Sequence, residues 1–391
     1  MRIWMRTWMP SLAALALASC ATASVTERSA AIQSTPRTPL GLDDAGVLFW
    51  DQTTRTERFR HLENFYSGLE VPAAPRVRAL PRGEPLDAPT VAKLAPLLET
   101  INAAGIMVLQ DGKVRHEQYR LGFGPDQRWT SFSVAKSFTS TLLGAAVKDG
   151  VLSLSDPVTK HLPGLRGTAY DGVTVEQVAT MTSGVKWNED YADPKSDVAR
   201  MLLVAPVGGE PQSVTYARTL TREAPAGSKW VYKTLETNLL GDIVAAATAR
   251  PLADYAKEKI VDPAGFAGGL FWMTDLTGRN IGGCCLSVRL SDYARMGQWV
   301  LGGAQPSVPA GWFAKAAAKQ ADIGAPGYGY GYQWWTNPLG FGAQGIFGQY
   351  ITLVPSQRLV IAVVSSHPTA TGKVLTEARG ALWRAVAEGT R

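Results

Sequence analysis

Apolar residues recur along the chain with two periods, one typical of helices and one typical of strands. The acid and proline of Asp87-Ala88-Pro89 form a helix start, because acidic residues and proline favour the first turn. Apolar positions at helical spacing follow at Val91, Leu94, Leu97, Leu98 and Ile101. Two extended runs, 106–109 and 114–119, then enclose the turn pair Asp111-Gly112. This second pattern predicts a β-hairpin.

The next apolar pattern predicts a helix over 133–147, after which helical patterns and turns predominate to about residue 290. The later predicted elements are strands at 329–335, 348–354 and 359–365 and a helix at 374–387. Residues 40–90 mix aromatic, charged and proline positions, and we interpret them as an ordered arm over the main body. The order of elements predicts an α/β layer with a mainly helical insertion, not alternating βαβ units.

Composition indicates a globular protein. The chain has 391 residues, of which 46% are hydrophobic and 18% charged, enough for a large core in one body or in two or three domains. The net charge of +6 is spread without a long run of like charges. Such a distribution gives little support to a nucleic-acid partner.

The first twenty residues have the features of an export signal. Arg2 and Arg6 precede an apolar stretch that ends in Leu17-Ala18-Ser19-Cys20. This ending resembles the bacterial lipoprotein signal, in which the cysteine is lipidated; the alternative is an ordinary signal peptide. We therefore expect an exported protein of the cell envelope or periplasm, anchored to the membrane through Cys20, with residues 21–39 as a flexible tether.

The remaining cysteines and the histidines do not indicate a metal site. Cys284 and Cys285 are adjacent, so they can form only a strained vicinal disulfide or, as we favour, a pair of small reduced side chains. The four histidines are widely scattered, without the spacing of metal ligands. No metal and no cofactor are expected.

The strongest chemical signal is Ser133-Val134-Ala135-Lys136 at the start of a predicted helix. The i, i+3 spacing places the hydroxyl and the ammonium one turn apart on the same face. A serine hydroxyl becomes a good nucleophile when a base takes its proton, and a lysine with a lowered pKa can serve. Alone, this short pattern is weak, since it also occurs by chance.

The surrounding residues strengthen the pattern. Residues 129–140 resemble the nucleophile helix of serine β-lactamases, penicillin-binding proteins and their esterase and amidase relatives. Further matches occur in family order, so the resemblance covers roughly residues 90–388. They are Asp156-Pro157-Val158 with His161-Leu162-Pro163, Val173-Thr174-Val175, Met181-Thr182-Ser183-Gly184, Tyr232-Lys233-Thr234 with Asn238-Leu239-Leu240-Gly241, and the runs 287–296 and 342–350.

The resemblance implies a fold and a set of roles. The fold would be β-lactamase-like, an antiparallel sheet flanked by N- and C-terminal helices, with an inserted helical domain. Ser133 would be the nucleophile, and Lys136 and Tyr232 would share the acid/base work. The backbone N–H groups of Ser133 and Ile346 would form the oxyanion hole. Thr234 and Gly345 would lie at substrate-binding positions.

Two departures from the family pattern bear on the substrate. Thr234 replaces the Asn of Tyr-x-Asn, and 343–345 reads Ala-Gln-Gly where lactam-recognising members have Lys-Thr-Gly. The missing cation argues against penicillin hydrolysis. Residues 187–194 and 345–350 instead resemble the branch that contains 6-aminohexanoate-oligomer hydrolase and related esterases, where Tyr191 could contact a leaving amine and Glu189 a substrate amine, although acidic loop residues are usually solvated.

These observations predict a serine hydrolase that cleaves a small ester or linear amide through an acyl-enzyme. Two alternatives remain: a β-lactamase or DD-peptidase, and a catalytically silent envelope-binding lipoprotein. The sequence does not indicate an oligomeric state. We divide the chain into a signal (1–20), a tether (21–39), the arm with the first part of the α/β domain (40–150), a mainly helical insertion (151–290) and the rest of the α/β domain (291–391).

Overall fold

The computed structural model describes residues 33–35 and 45–391, so the predicted signal and Cys20 lie outside the described residues. The strands are β1 (Gln33–Thr35), β2 (Gly68–Val71), β3 (Ala103–Gln110), β4 (Lys113–Tyr119), β5 (Arg128–Thr130), β6 (Leu270–Met273), β7 (Leu286–Arg289), β8 (Gly329–Tyr330), β9 (Trp335–Asn337), β10 (Gly340–Gly345), β11 (Gln349–Val354) and β12 (Leu359–Ser365).

The α-helices of the same residues are α1 (Gln52–Phe59), α2 (Ala88–Thr100), α3 (Val134–Lys148), α4 (Val158–His161), α5 (Val175–Ala179), α6 (Asp197–Arg200), α7 (Gln212–Ala217), α8 (Thr234–Thr248), α9 (Leu252–Ala256), α10 (Asp262–Ala264), α11 (Leu290–Leu301), α12 (Trp312–Ala316) and α13 (Lys373–Gly389). Short 3₁₀ turns at Ala45–Leu48 and Ile346–Gly348 matter for the site below.

The main sheet has seven antiparallel strands in the order β4-β3-β12-β11-β10-β9-β8. Its centre is β12, which is buried along its whole length because both faces are covered. Helices α2 and α13 pack together on one face, and α11 packs on the other. The prediction of an antiparallel sheet flanked by N- and C-terminal helices is therefore confirmed.

Local sequence signals explain several of these elements. The side chain of Asp87 accepts a hydrogen bond of 2.7 Å from the backbone N–H of Thr90 and so caps α2. Asp111 and Gly112 both have positive φ, as the tight turn between β3 and β4 requires. The predicted helix and hairpin therefore form where the sequence placed them.

A second antiparallel sheet, in the order β1-β2-β6-β7-β5, was not predicted from sequence. Its strands β6 and β7 fall inside the stretch where helical patterns predominate, and each is only four residues long. Strand β1 falls inside the expected tether and pairs with β2. The remaining residues of the tether lie outside the described residues.

The predicted strand at 329–335 is wrong in its extent. Two short strands, β8 and β9, replace it. Gln333 between them has φ 59°, a left-handed conformation that breaks an extended run. The backbone turns back there, and the N–H of Gly331 donates to the carbonyl of Trp334 over 2.8 Å.

Helices α3 and α8 pack against each other in the core of the helical part. Every residue of α3 from Val134 to Ala146 is buried. Polar side chains on such a helix must find partners inside the protein. Ser133 and Lys136 at the start of α3, and Thr234 at the start of α8, therefore meet in the interior.

Two further findings concern the cysteines and the membrane. The structure brings the side chains of Cys284 and Cys285 together. The expectation that both are reduced stays a prediction. Among residues 33–35 and 45–391, no helix is both long enough and apolar enough to cross a bilayer.

Candidate active site

The turn between β5 and α3 presents Ser133. The backbone of Ser131 donates to the carbonyl of Leu286 over 2.7 Å, and the N–H of Leu286 donates back to the Ser131 hydroxyl over 2.8 Å. Phe132 has φ 40°, a left-handed conformation that a bulky residue adopts only when its surroundings impose it. Ser133 is thus held at the N-terminus of α3 with about 9% of its surface exposed.

Lys136 is buried beside Ser133 and fully hydrogen-bonded. Its Nζ donates to Ser133 Oγ at 3.1 Å, to Thr234 Oγ1 at 3.1 Å and to the carbonyl of Gly283 at 3.0 Å. Burial lowers the pKa of Lys136 to about 8, and the negative charge of Glu189 opposes this shift. A large fraction of Lys136 is therefore neutral at mildly alkaline pH and able to accept a proton.

The carboxylate of Glu189 points into the protein. It accepts hydrogen bonds from the backbone N–H of Thr234 at 2.9 Å, from the hydroxyl of Tyr191 at 2.8 Å, and from the Thr234 hydroxyl and the Trp187 indole. The Thr234 hydroxyl gives its single proton to Glu189, so it can only accept from Lys136. Glu189 thereby fixes the direction of the hydrogen bonds that reach the candidate base.

The sequence does not reveal this role of Glu189, since acidic loop residues are usually solvated. Its partner Thr234 lies 45 positions further along the chain, and no spacing rule connects the two. The same contacts leave its carboxylate occupied, so it is not free to receive a substrate amine.

Tyr232 lies beside Lys136, whose Nζ is 5.3 Å from the centre of the phenol ring. Burial raises the pKa of Tyr232 well above its ordinary value, the charge of Glu189 adds to the rise, and a hydrogen bond with Ser133 opposes it. The ring stacks on Trp335 with a centroid distance of 5.4 Å. Tyr232 is therefore a protonated phenol at neutral pH, a donor and not a phenolate base.

The end of β10 runs against the Ser133 turn. A Cβ built on Gly345 would lie 2.6 Å from the carbonyl oxygen of Ser131 and 3.0 Å from the amide nitrogen of Ser133. Only glycine permits this approach. Ile346 follows at once, and Phe347 after it has φ 58°. The amides of Ser133 and Ile346 are thus carried on two backbone segments in direct contact.

A small cavity of about 50 Å³ opens beside Ser133. Tyr191, Thr234, Gly283 and Ile346 also line it. The lining residues, all within 45–391, include no Asp, Glu, Lys or Arg. Most of the wall is apolar, including Val47, Leu48, Val198, Met201, Leu202 and Ile281.

The structure brings together most of the residues predicted for the site. Ser133, Lys136, Tyr232 and Thr234 form one connected group, Tyr191 joins it through Glu189, and the 345–346 backbone closes one side. Their catalytic roles stay predictions. Within residues 45–391, no group of three or more His, Cys, Asp or Glu side chains is placed to hold a metal ion.

Comparison with known proteins assigns the fold and the family. Residues 61–274 match the family model described as Beta-lactamase. The chain belongs to the beta-lactamase family. A curated member, 6-aminohexanoate-dimer hydrolase of Paenarthrobacter ureafaciens, is 31% identical over 291 residues, which cover 69% of this chain and 74% of that protein. This beta-lactamase-family chain is accordingly a serine hydrolase, and the resemblance seen in its sequence is confirmed.

Solved structures of the family have the same fold. A Bacillus anthracis structure assigned as a 6-aminohexanoate-dimer hydrolase superposes with a TM-score of 0.77 at 21% identity, covering 89% of this chain and 96% of that one. EstCE1, described as a hydrolase with promiscuous acyltransferase activity, gives a TM-score of 0.62 at 13% identity, over 75% of this chain and 98% of its own. At such identities these likenesses establish the beta-lactamase-like fold alone.

Proposed function

We propose that this chain is an esterase or linear-amide hydrolase that works through an acyl-enzyme on Ser133, as a carboxylesterase or a hydrolase resembling the 6-aminohexanoate branch. The observation that carries the proposal is the buried Lys136, hydrogen-bonded to Ser133 Oγ at 3.1 Å with its pKa lowered to about 8. A neutral lysine at that distance is a general base for the serine hydroxyl.

The reaction proceeds in two halves. Neutral Lys136 takes the proton of Ser133 as Oγ attacks the substrate carbonyl, and the amides of Ser133 and Ile346 stabilise the oxyanion. Protonated Tyr232 gives its proton to the departing alcohol or amine and recovers one from Lys136. Water then enters and attacks the acyl-enzyme, losing a proton to the same pair. The pair returns that proton to Ser133 Oγ as the acid is released. Tyr191 and Thr234 contact the substrate from the side of the Glu189 network.

Two observations favour this function over its alternatives. The cavity beside Ser133 has no charged side chain in its lining, and Ala343, at the family's cationic position, is buried. A lactam carboxylate would find no cation there, which disfavours a β-lactamase or DD-peptidase. The hydrogen bond of Lys136 to Ser133 Oγ and the lowered pKa of Lys136 support activity over a silent binding protein, since perturbed pKa values concentrate at functional sites.

The test is covalent labelling of residues 21–391, and of the same chain with Ser133→Ala, by a fluorophosphonate, read by intact mass. Hydrolysis of p-nitrophenyl acetate is measured on both proteins. We expect one adduct on Ser133 in the wild type, none in the variant, and activity only in the wild type. Absence of both adduct and hydrolysis in the wild type would exclude the acyl-enzyme. Rapid turnover of a chromogenic cephalosporin would favour the β-lactamase alternative instead.

We also propose that the protein is exported and carried on a membrane by a lipid on Cys20. The lipoprotein-type sequence Leu17-Ala18-Ser19-Cys20 supports this proposal. Metabolic labelling with an alkyne fatty acid tests it, with Cys20→Ser as the matched control. Label in the wild type alone is expected, and equal labelling of both chains would contradict the proposal.

A further inference from the structure

The arm that precedes the family-matched residues reaches the catalytic cavity. Val47 and Leu48, in the 3₁₀ turn Ala45–Leu48, line the cavity beside Ser133. The family model begins at residue 61, so the match does not include them. Val47 is only 6% exposed, which shows that it is packed as part of the wall.

A buried arginine fixes this arm to the main body. The guanidinium of Arg55 donates to the carbonyls of His367 at 2.9 Å and Pro368 at 3.0 Å. It also lies 4.4 Å above the ring centre of Phe347, a favourable cation–π distance. The arm is therefore attached to the segment that follows Ile346.

An aromatic cluster makes a second attachment. Phe59 has no exposed surface, and its ring centre lies 4.9 Å from that of Phe132 and 5.6 Å from that of Phe347. These two residues are the chain neighbours of Ser133 and Ile346, and both have a left-handed backbone. Since the arm packs on both, its position relative to the nucleophile is set by the same contacts that hold the nucleophile turn.

The lining of the cavity bears on which part of the substrate it would meet. Ile346, whose amide would receive the substrate carbonyl oxygen, lines it, whereas Tyr232, the donor to the leaving group, does not. The cavity would then face the acyl group, and Tyr191, which also lines it, would contact that group and not the leaving amine. Tyr232 packs instead against Trp230, Tyr330 and Trp335. The leaving group would thus meet an aromatic surface, and the acyl group the apolar cavity.

We propose that Val47 and Leu48 select the acyl group of the substrate, which is short, aliphatic and uncharged. This inference rests on the proposed function. Val47 and Leu48 form part of the apolar wall of this cavity. A charged acyl end would be buried there without a partner, at a large cost, and a long chain would meet the side chains of the arm.

The experiment measures kcat/KM for p-nitrophenyl acetate, butyrate, hexanoate and octanoate on residues 21–391 and on the same chain with Val47→Ala or Leu48→Ala. In the wild type we expect a preference for acetate or butyrate. In the variants the octanoate-to-acetate ratio should rise by roughly tenfold, as is typical when methylene groups are removed from a pocket. Phe49→Ala is the matched control, because Phe49 belongs to the same arm, is 43% exposed and does not line the cavity.

The outcomes separate this inference from the function on which it rests. A wild type without adduct on Ser133 overturns both. A wild type that labels and hydrolyses acetate, with the same chain-length profile in both arm variants, overturns only the role of the arm. A second series, of acetate esters with longer alcohols, tests whether the cavity holds the leaving alcohol instead of the acyl group. If the variants change selectivity for the alcohol and not for the acyl chain, the proposal is wrong.

Discussion

Two cavities of the molecule differ in size and in chemistry. The one beside Ser133 encloses about 50 Å³ and has no charged lining. The other, between the helices of the insertion, encloses about 530 Å³ and is lined by His161, Glu210, Asp242, Arg250 and Arg279 among others. Volume and charge would direct attention to the second cavity, whereas the family's nucleophile lies at the first.

The two cavities also differ in whether their polar groups are paired with opposite charges. In the larger cavity two of the charges already have partners, because Glu210 pairs with Arg218 at 2.7 Å and Arg250 with Asp254 at 2.6 Å. In the smaller cavity a hydroxyl adjoins a buried lysine with a lowered pKa. A reactive group in apolar surroundings is a better sign of chemistry than a large pocket of satisfied charges.

Among the substitutions that test this difference between the cavities, replacing Lys136 should lower activity the most. Lys136→Met keeps the length of the side chain but removes the base, so kcat for p-nitrophenyl acetate should fall by roughly 10²- to 10⁴-fold. Lys148→Met is the matched control, since Lys148 lies on the exposed end of the same helix. A Lys136→Met variant that keeps more than a tenth of the wild-type rate would remove Lys136 from the proposed mechanism.

Gly345→Ala tests the backbone that carries the second oxyanion donor. The new Cβ would meet the carbonyl of Ser131 at 2.6 Å, so β10 must move away from Ser133. Losing one such donor typically costs roughly 10²-fold in kcat, with KM little changed. Gly380→Ala in α13 is the control, because a Cβ there would be 3.4 Å from the end of the Arg384 side chain alone. Equal activities of the two variants would argue against an oxyanion hole at Ile346.

Much of the site was predictable because short local sequence patterns contain its reactive residues. The spacing of Ser133 and Lys136, and the order of the later segments, pointed to the nucleophile helix and to Tyr232. The strands β3, β4, β11 and β12 of the main sheet and its flanking helices were predictable because their patterns extend over whole elements. The strands β6 and β7 were not, since a run of four residues, nearly all of them buried, has no period that separates a strand from a helix turn.

The wall of the cavity could not be predicted from sequence. The cavity wall includes Val47, Met201 and Ile281, which come from three distant parts of the chain. Each is a residue type that is common in any hydrophobic core. Glu189 was missed for a similar reason, because its inward direction depends on Thr234 and Trp187. Contacts between distant segments leave no spacing rule in the sequence.

Glu189→Gln sharpens the account of the candidate base through the pH profile. The protonated form of Lys136 is inactive, so kcat/KM of the wild type should fall as the pH drops below about 8. The carboxylate of Glu189 favours the ammonium, and its removal lowers the pKa of Lys136 further. The acidic limb should therefore move to lower pH, with only a several-fold change in the plateau. Asp190→Asn, on the exposed neighbour, should leave the limb in place; a limb that stays or moves upward in Glu189→Gln would contradict this assignment.

Asp242→Asn addresses the larger cavity, and its expected effect on activity is the smallest. Asp242 is 8% exposed, and burial raises its pKa to about 7. The folded protein thus binds a proton that the unfolded chain has released, so this group's contribution to stability falls as the pH rises from about 4 to 7.

Asparagine has no proton to titrate in this range, so the Asp242→Asn variant does not lose this stability as the pH rises. Its melting temperature relative to the wild type should increase between pH 4 and pH 8, while kcat/KM stays close to the wild-type value. Thermal melts at both pH values and ester hydrolysis decide between the two cavities: a large loss of activity with no pH-dependent gain in stability would mean that the larger cavity takes part in the reaction.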